Sequence, residues 1–165
     1  RIANNSISSR HNSFTINKGS ADGVLPEMGI INNQGVIGII RNVSSHYASV
    51  ISILNPNMRI SAKIKNNNFF GILRWKGMNL KEFELIDIPK YAPLNLGDTI
   101  ITSSYSSVFP EGIALGVVDK YTLPPGSNTF DITIKLFVQP ENMKFAYVLK
   151  NANLNEIKSL KISGN

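Results

Sequence analysis

One ordered pattern occurs twice in this chain. Residues 35–64 run Gly35-Val36-Ile37-Gly38-Ile39-Ile40, then an apolar strand that ends in Asn55-Pro56-Asn57-Met58-Arg59-Ile60-Ser61-Ala62. Residues 112–148 run Gly112-Ile113-Ala114-Leu115-Gly116-Val117-Val118, then a strand that ends in Gln139-Pro140-Glu141-Asn142-Met143-Lys144-Phe145-Ala146. A hydrophobe-flanked glycine, a strand, a proline break, Met with a base and then alanine recur in one order, displaced by about 80 residues. A β-rich unit built twice argues for two similar barrels related by duplication rather than one mixed α/β body. A chance likeness between two β-hairpins is the competing reading.

The length of 165 residues suits one large domain or two small ones. A unit of about 80 residues buries only a little over about 60% of its unfolded surface, so two such units should lean on each other. Ile, Val, Phe and Tyr dominate the apolar set and Gly, Pro and Asn punctuate it, which is strand chemistry. No apolar run approaches the roughly 18 residues of a membrane-spanning helix. No leader is visible before Arg1, and the missing Met leads us to expect a piece whose targeting segment lies outside it. The absence of cysteine excludes disulfides and thiolate metal sites. The net charge of +6 is within the ordinary range for a domain of this size.

Strict alternation marks the clearest strand. In Phe130-Asp131-Ile132-Thr133-Ile134-Lys135-Leu136 every even position is apolar and every odd one polar, the period of a half-buried strand. Extending this reading predicts strands near residues 1–5, 12–17, 28–32, 35–42, 48–54 and 60–65, then 69–75, 82–87, 99–102, 113–121, 130–138 and 145–150. Turn chemistry separates them at Lys18–Gly23, Asn32-Asn33, Asn55–Asn57, Asn66–Asn68 and Leu123–Gly126. The predicted fold is all-β: two six-stranded β-barrels in tandem, which leave no exposed sheet edge. Residues 1–66 form the first barrel, 67–150 the second and 151–165 a polar tail with one short amphipathic turn. The three residues Asn66–Asn68 are also short enough to close a tight hairpin, in which case a strand is exchanged between the barrels.

The most distinctive stretch is Leu96-Gly97-Asp98-Thr99-Ile100-Ile101-Thr102-Ser103-Ser104, followed by Phe109-Pro110-Glu111-Gly112-Ile113-Ala114-Leu115-Gly116-Val117-Val118. Three others accompany it in order: Asn17–Val24 with Met28-Gly29, Gly35–Gly38, and Asn55–Asn57 through Arg59–Ala62. The set resembles the Gly-Asp-x-Val-x-Thr-Ser-Gly … Phe-Pro-x-Gly-Ile-Pro-x-Gly-x-Val signature of the MreC family of bacterial rod shape-determining proteins. Ser104 stands where that pattern often has Gly and Ala114 where it often has Pro, which puts the local backbone in question. The resemblance implies a membrane helix and a dimerising coiled coil ahead of two six-stranded barrels outside the inner membrane. It implies a non-enzymatic scaffold of lateral wall synthesis on the periplasmic face, of which this soluble piece is the barrel region. The implied partners are the penicillin-binding transpeptidase of the elongation complex, MreD and, indirectly, MreB, with self-association as a homodimer in the full-length protein.

Two six-stranded barrels also raise the question of a serine-protease triad. The candidates are His11 and His46, orienting carboxylates at Asp22, Asp87 and Asp98, and hydroxyls at Ser103, Ser104, Ser106 and Ser107. None of these serines has a nucleophile-motif context, and both histidines fall in polar loops. Two isolated histidines lack metal-ligand spacing and the glycine-rich turns lack a phosphate-loop Lys-Ser/Thr, so neither a metal nor a cofactor is expected.

Two surfaces remain for binding. Arg59, Lys63, Lys65, Arg74, Lys76 and Lys81 form a basic run interleaved with Phe69, Phe70 and Trp75. If 60–65 pairs with 69–75, Lys63, Lys65, Arg74 and Lys76 share the solvent face, with Ile60, Ala62, Ile64, Leu73 and Trp75 inside. Such a basic, aromatic hairpin over 59–81 supports the alternative of a nucleic-acid-binding barrel, charge on phosphate and rings on bases; a solvated face over core aromatics is the plainer account. The second surface is the Ser103–Pro110 loop, whose Tyr105, Val108 and Phe109 are candidate partner contacts. Phe109 can equally plug a barrel end, which leaves Tyr105 as the better contact.

Overall fold

The computed structural model describes residues 2–6, 12–139 and 145–150, and of 2–6 the backbone only. Its strands are β1 (Ile2–Ser6), β2 (Ser13–Ile16), β3 (Gly29–Ile31), β4 (Val36–Val43), β5 (Ala48–Ser52), β6 (Ile60–Ile64), β7 (Phe70–Trp75), β8 (Glu82–Ile86), β9 (Thr99–Thr102), β10 (Ala114–Thr122), β11 (Asp131–Leu136) and β12 (Tyr147–Leu149). A single 3₁₀ turn, Ser20–Asp22, is the only helical element among the described residues. Each strand falls inside or within a residue or two of a segment predicted from alternation. His11, Pro140–Lys144 and the 151–165 tail lie outside the described residues.

The strands form two antiparallel sheets. β6 to β11 close into a barrel in the order β10-β11-β8-β7-β6-β9. The remaining six form a sheet in the order β1-β2-β5-β4-β3-β12. Of the two closed barrels expected, one ring closes among the described residues. Closing the other would need β1 to pair with β12, and β12 offers three residues where its counterpart β6 offers five.

Strands cross the division at residue 66, as the exchange allowed for by the short Asn66–Asn68 connection would have them do. β6, from the first repeat, pairs with β7 and β9 inside the barrel. β12, from the end of the second repeat, pairs with β3 of the other sheet. Each unit therefore takes its sixth strand from the other half of the chain. The short Asn66–Asn68 connection is the cause, since it joins β6 to β7 as a hairpin and keeps β6 away from the free edge of β3.

The duplication is visible in register. Gly38 of β4 faces Ile30 and Ser52, and Gly116 of β10 faces Ile100 and Leu136. Both hairpins then carry a bulge at the same step, between Ile40 and Asn42 and between Val118 and Lys120. A side chain at Gly38 would strike the carbonyl oxygen of Ile51, and one at Gly116 that of Lys135. Glycine is required at both positions because the partner backbone occupies the space a Cβ would need.

Inward residues of the barrel build the larger core, among them Ile60, Ile64, Leu73, Trp75, Phe83, Leu85, Ile100, Leu115 and Ile134. Val36, Ile53 and Leu54 of the open-sheet unit join that cluster. The open sheet covers a smaller cluster around Phe14, Ile16, Ile30, Ile37, Ile40 and Val50.

Candidate interaction surface

The Ser103–Pro110 loop joins β9 to β10 at the barrel end that meets the open sheet. Its backbone is pinned from within. The Ser106 hydroxyl accepts the N–H groups of Val108 and Phe109 at 3.2 and 2.9 Å. The Thr102 hydroxyl donates to the Pro110 carbonyl at 2.7 Å and accepts from the Ile113 N–H at 2.9 Å. Ser103 donates its N–H to the Ser61 carbonyl, tying the loop to β6. Ser104 is not among the described residues with positive φ, so serine there carries no left-handed backbone strain.

The three candidate contacts on this loop separate. Phe109 is 3% exposed, with its ring against Gly29 of β3. It wedges the barrel to the open sheet and is unavailable to a partner, which corrects its assignment as a contact. Val108 is half-buried and packs on the barrel core. Tyr105 is 73% exposed. Its ring meets Phe70 edge-on at a centroid separation of 4.7 Å, a geometry that holds an exposed aromatic in place. Phe70 was within reach of the sequence, because it faces Lys63 in the β6–β7 register and so shares its outward face.

The basic hairpin forms as the alternation predicts. Ile60, Ala62, Ile64, Leu73 and Trp75 are buried, while Lys65 and Lys76 are exposed. Two of its cations are already matched: Lys63 Nζ lies 2.9 Å from Glu111 Oε1, and Arg74 pairs with Glu84 across β7–β8. Trp75 spends its indole N–H on the Asn79 carbonyl at 2.8 Å. With two of its six cations ion-paired and the indole inside, this face keeps only part of the basic, open-ringed pattern that grips a nucleic-acid strand.

Of the triad candidates, His11 lies outside the described residues, and His46 and Ser103 lie in different units. His46 sits exposed in the β4–β5 turn of the open sheet, whereas Ser103 is completely buried at the end of β9. The Ser103 hydroxyl has no hydrogen-bond partner among the described residues. A buried, unpaired hydroxyl without a base is no nucleophile. No group of three or more His, Cys, Asp or Glu side chains that could hold a metal occurs among the described residues. None of the described helices is long and apolar enough to cross a membrane.

The family model described as rod shape-determining protein MreC, barrel core, matches residues 2–150. The chain belongs to the MreC family. Cell shape-determining protein MreC of Listeria monocytogenes is 29% identical over 131 residues, covering 71% of this chain and 44% of that protein. MreC of Haemophilus influenzae is 24% identical over 149 residues, covering 89% of this chain and 42% of that one. The chain thus spans less than half the length of these curated relatives. Among solved structures, MreC of L. monocytogenes aligns with a TM-score of 0.83 at 26% identity, over 90% of this chain and 72% of that one. MreC of Pseudomonas aeruginosa gives 0.83 at 18% identity, over 90% and 96%. A complex between Penicillin-Binding Protein (PBP2) and MreC from Helicobacter pylori gives 0.60 at 22%, over 90% and 85%.

Proposed function

We propose that this chain is the barrel region of a non-enzymatic scaffold that maintains cell shape by holding wall-synthesis proteins together at the outer face of the inner membrane. Its first partner is the penicillin-binding transpeptidase of the elongation complex. MreD, an indirect link to MreB and self-association as a homodimer complete the proposed assembly. The observation that carries this reading is the match of the MreC family model to nearly the whole chain. The H. pylori relative solved with PBP2 supports the choice of partner. A rigid barrel that holds Tyr105 exposed and edge-stacked beside a pinned loop is suited to presenting a contact, since an aromatic anchor fixed before binding loses little conformational freedom on complex formation.

The test is a binding titration of this chain against the periplasmic part of the same organism's transpeptidase, repeated with Tyr105→Ala. Saturable binding weakened about tenfold by the substitution is the expected result, the order of loss for truncating an interface anchor. Saturable binding unchanged by it would keep the function and move the contact elsewhere. Absence of binding would count against the scaffold role of this region.

A further inference from the structure

A cleft of about 150 Å³ opens where the pinned loop, the start of β6 and β4 of the open sheet converge. Ile39, Ile60 and Val108 supply its apolar groups, and Arg59, Tyr105 and the hydroxyls of three serines make the rest of the lining polar. It is smaller than the roughly 300 Å³ at which small-molecule pockets begin, and of a size for one anchoring side chain.

Arg59 decides what that anchor is. Its neighbour Lys63 is bonded to Glu111, and Arg74 to Glu84, but no acidic residue among those described bridges Arg59. It is exposed at the mouth of the cleft. A guanidinium beside an apolar floor and a tyrosine ring matches a planar carboxylate with a hydrophobic neighbour, which it can grip through two parallel hydrogen bonds. A polyanion is a poorer match, because nucleic acid or a charged lipid surface is held by many free cations together and this face has one at the cleft. The loop wall is preformed by the Ser106 and Thr102 hydrogen bonds, so little ordering cost falls on binding.

We propose that this cleft docks an acidic side chain flanked by an apolar one, carried on a segment of the protein partner, with Arg59 as its carboxylate receptor. The inference rests on the scaffold reading and names the chemistry of its contact. Ile39 belongs to the open sheet and Ile60 to the barrel, so the receptor exists only while the two units stay packed together.

The experiment titrates the chain with the periplasmic part of the same organism's transpeptidase, using Arg59→Glu, Arg59→Lys and, as a control, Lys76→Glu. Lys76 is exposed at the end of β7, and its substitution alters net charge as much as Arg59→Glu does. Arg59→Glu is expected to weaken binding by about tenfold or more, Arg59→Lys by about threefold through loss of the paired hydrogen bonds, and Lys76→Glu by less than about twofold. Backbone amide shifts on titration should concentrate at Ile39, Ser61 and residues 105–108. Wild-type binding with Arg59→Glu equally tight would overturn the receptor and leave the scaffold standing. Equal losses in Arg59→Glu and Lys76→Glu would reduce the effect to net charge and also overturn it. If the wild-type chain fails to bind at all, the scaffold reading falls with it.

Discussion

The closed barrel and the open sheet are two executions of one plan. They share strand order, the glycine that lets the central strands approach, and the bulge that follows it. They differ in closure. In the barrel, β6 completes a ring in which every strand is paired on both sides. In the sheet, β1 and β12 remain edges among the described residues. The difference teaches that the sixth strand decides closure. A five-residue strand held by a short hairpin seals one copy, and a three-residue strand returning from the far end of the chain caps only one edge of the other. The exchange also makes the copies interdependent, since each is completed by the other half of the sequence.

The largest effect should come from emptying equivalent core positions. Phe83 of β8 faces Ile134 and Phe14 of β2 faces Val50, the same place in each unit, and both are buried. Truncation of either to alanine should cost about 3–5 kcal/mol. Phe83→Ala should fall at the upper end, because its surroundings are completely buried inside a closed ring that collapses poorly around a void. Exchanged strands and a shared core predict that each variant still melts in a single transition. Two separate transitions in calorimetry, with only the substituted unit shifted, would break the claim of interdependence.

A smaller effect separates the copies by compliance. Gly38→Ala and Gly116→Ala drive the same methyl into the same kind of neighbour, a carbonyl on the paired strand. Overpacking of this sort costs about 1–3 kcal/mol. The open sheet can shift its strands toward a free edge and the ring cannot, so Gly116→Ala should destabilise more in denaturant titrations. Equal losses would mean that closure adds no local stiffness.

Much of this was legible in the sequence because β-structure writes its burial in alternation. Ile132 and Ile134, followed by Lys135, announce their strand without any tertiary knowledge, although Thr133 between them is buried as well. The inward set of the β6–β7 hairpin was legible for the same reason. What alternation does not carry is partnership between strands. Nothing local in Tyr147-Val148-Leu149 says that it pairs with β3, and nothing in Glu84 or Glu111 says that they neutralise Arg74 and Lys63. Phe109 shows the same limit at one residue, since an aromatic in a polar loop reads as an exposed anchor until Gly29 is seen to vacate the space for it. Arg59 was visible as one cation among six; its separate role depends on which of the others are paired.

The smallest effect concerns the β2–β3 turn of the open-sheet unit. Asp22 accepts the Gly19 N–H at 3.1 Å, and this backbone hydrogen bond, with the Lys18 ammonium 3.5 Å away, holds its carboxyl below the usual carboxylate range. Desolvation opposes the shift and outranks the attraction of Lys18, so the Gly19 hydrogen bond decides the direction. A carboxyl whose folded pKa lies below its unfolded value, about 3.9 for aspartate, favours the folded turn above that value and loses the contribution as pH falls through the folded one. Asp22 titrated by NMR should therefore ionise at a lower pH than aspartate in a peptide. Protection of the Gly19 amide should decline on acidification in the wild-type chain and stay level in Asp22→Asn, whose side-chain carbonyl still accepts the bond without titrating. The barrel supplies the internal comparison, because Asp98 accepts the Asn95 N–H at 2.9 Å across the same three-residue span. Asp22→Asn should leave the Asn95 amide untouched, and a change there would show that the two turns communicate through the shared core rather than acting as separate local locks.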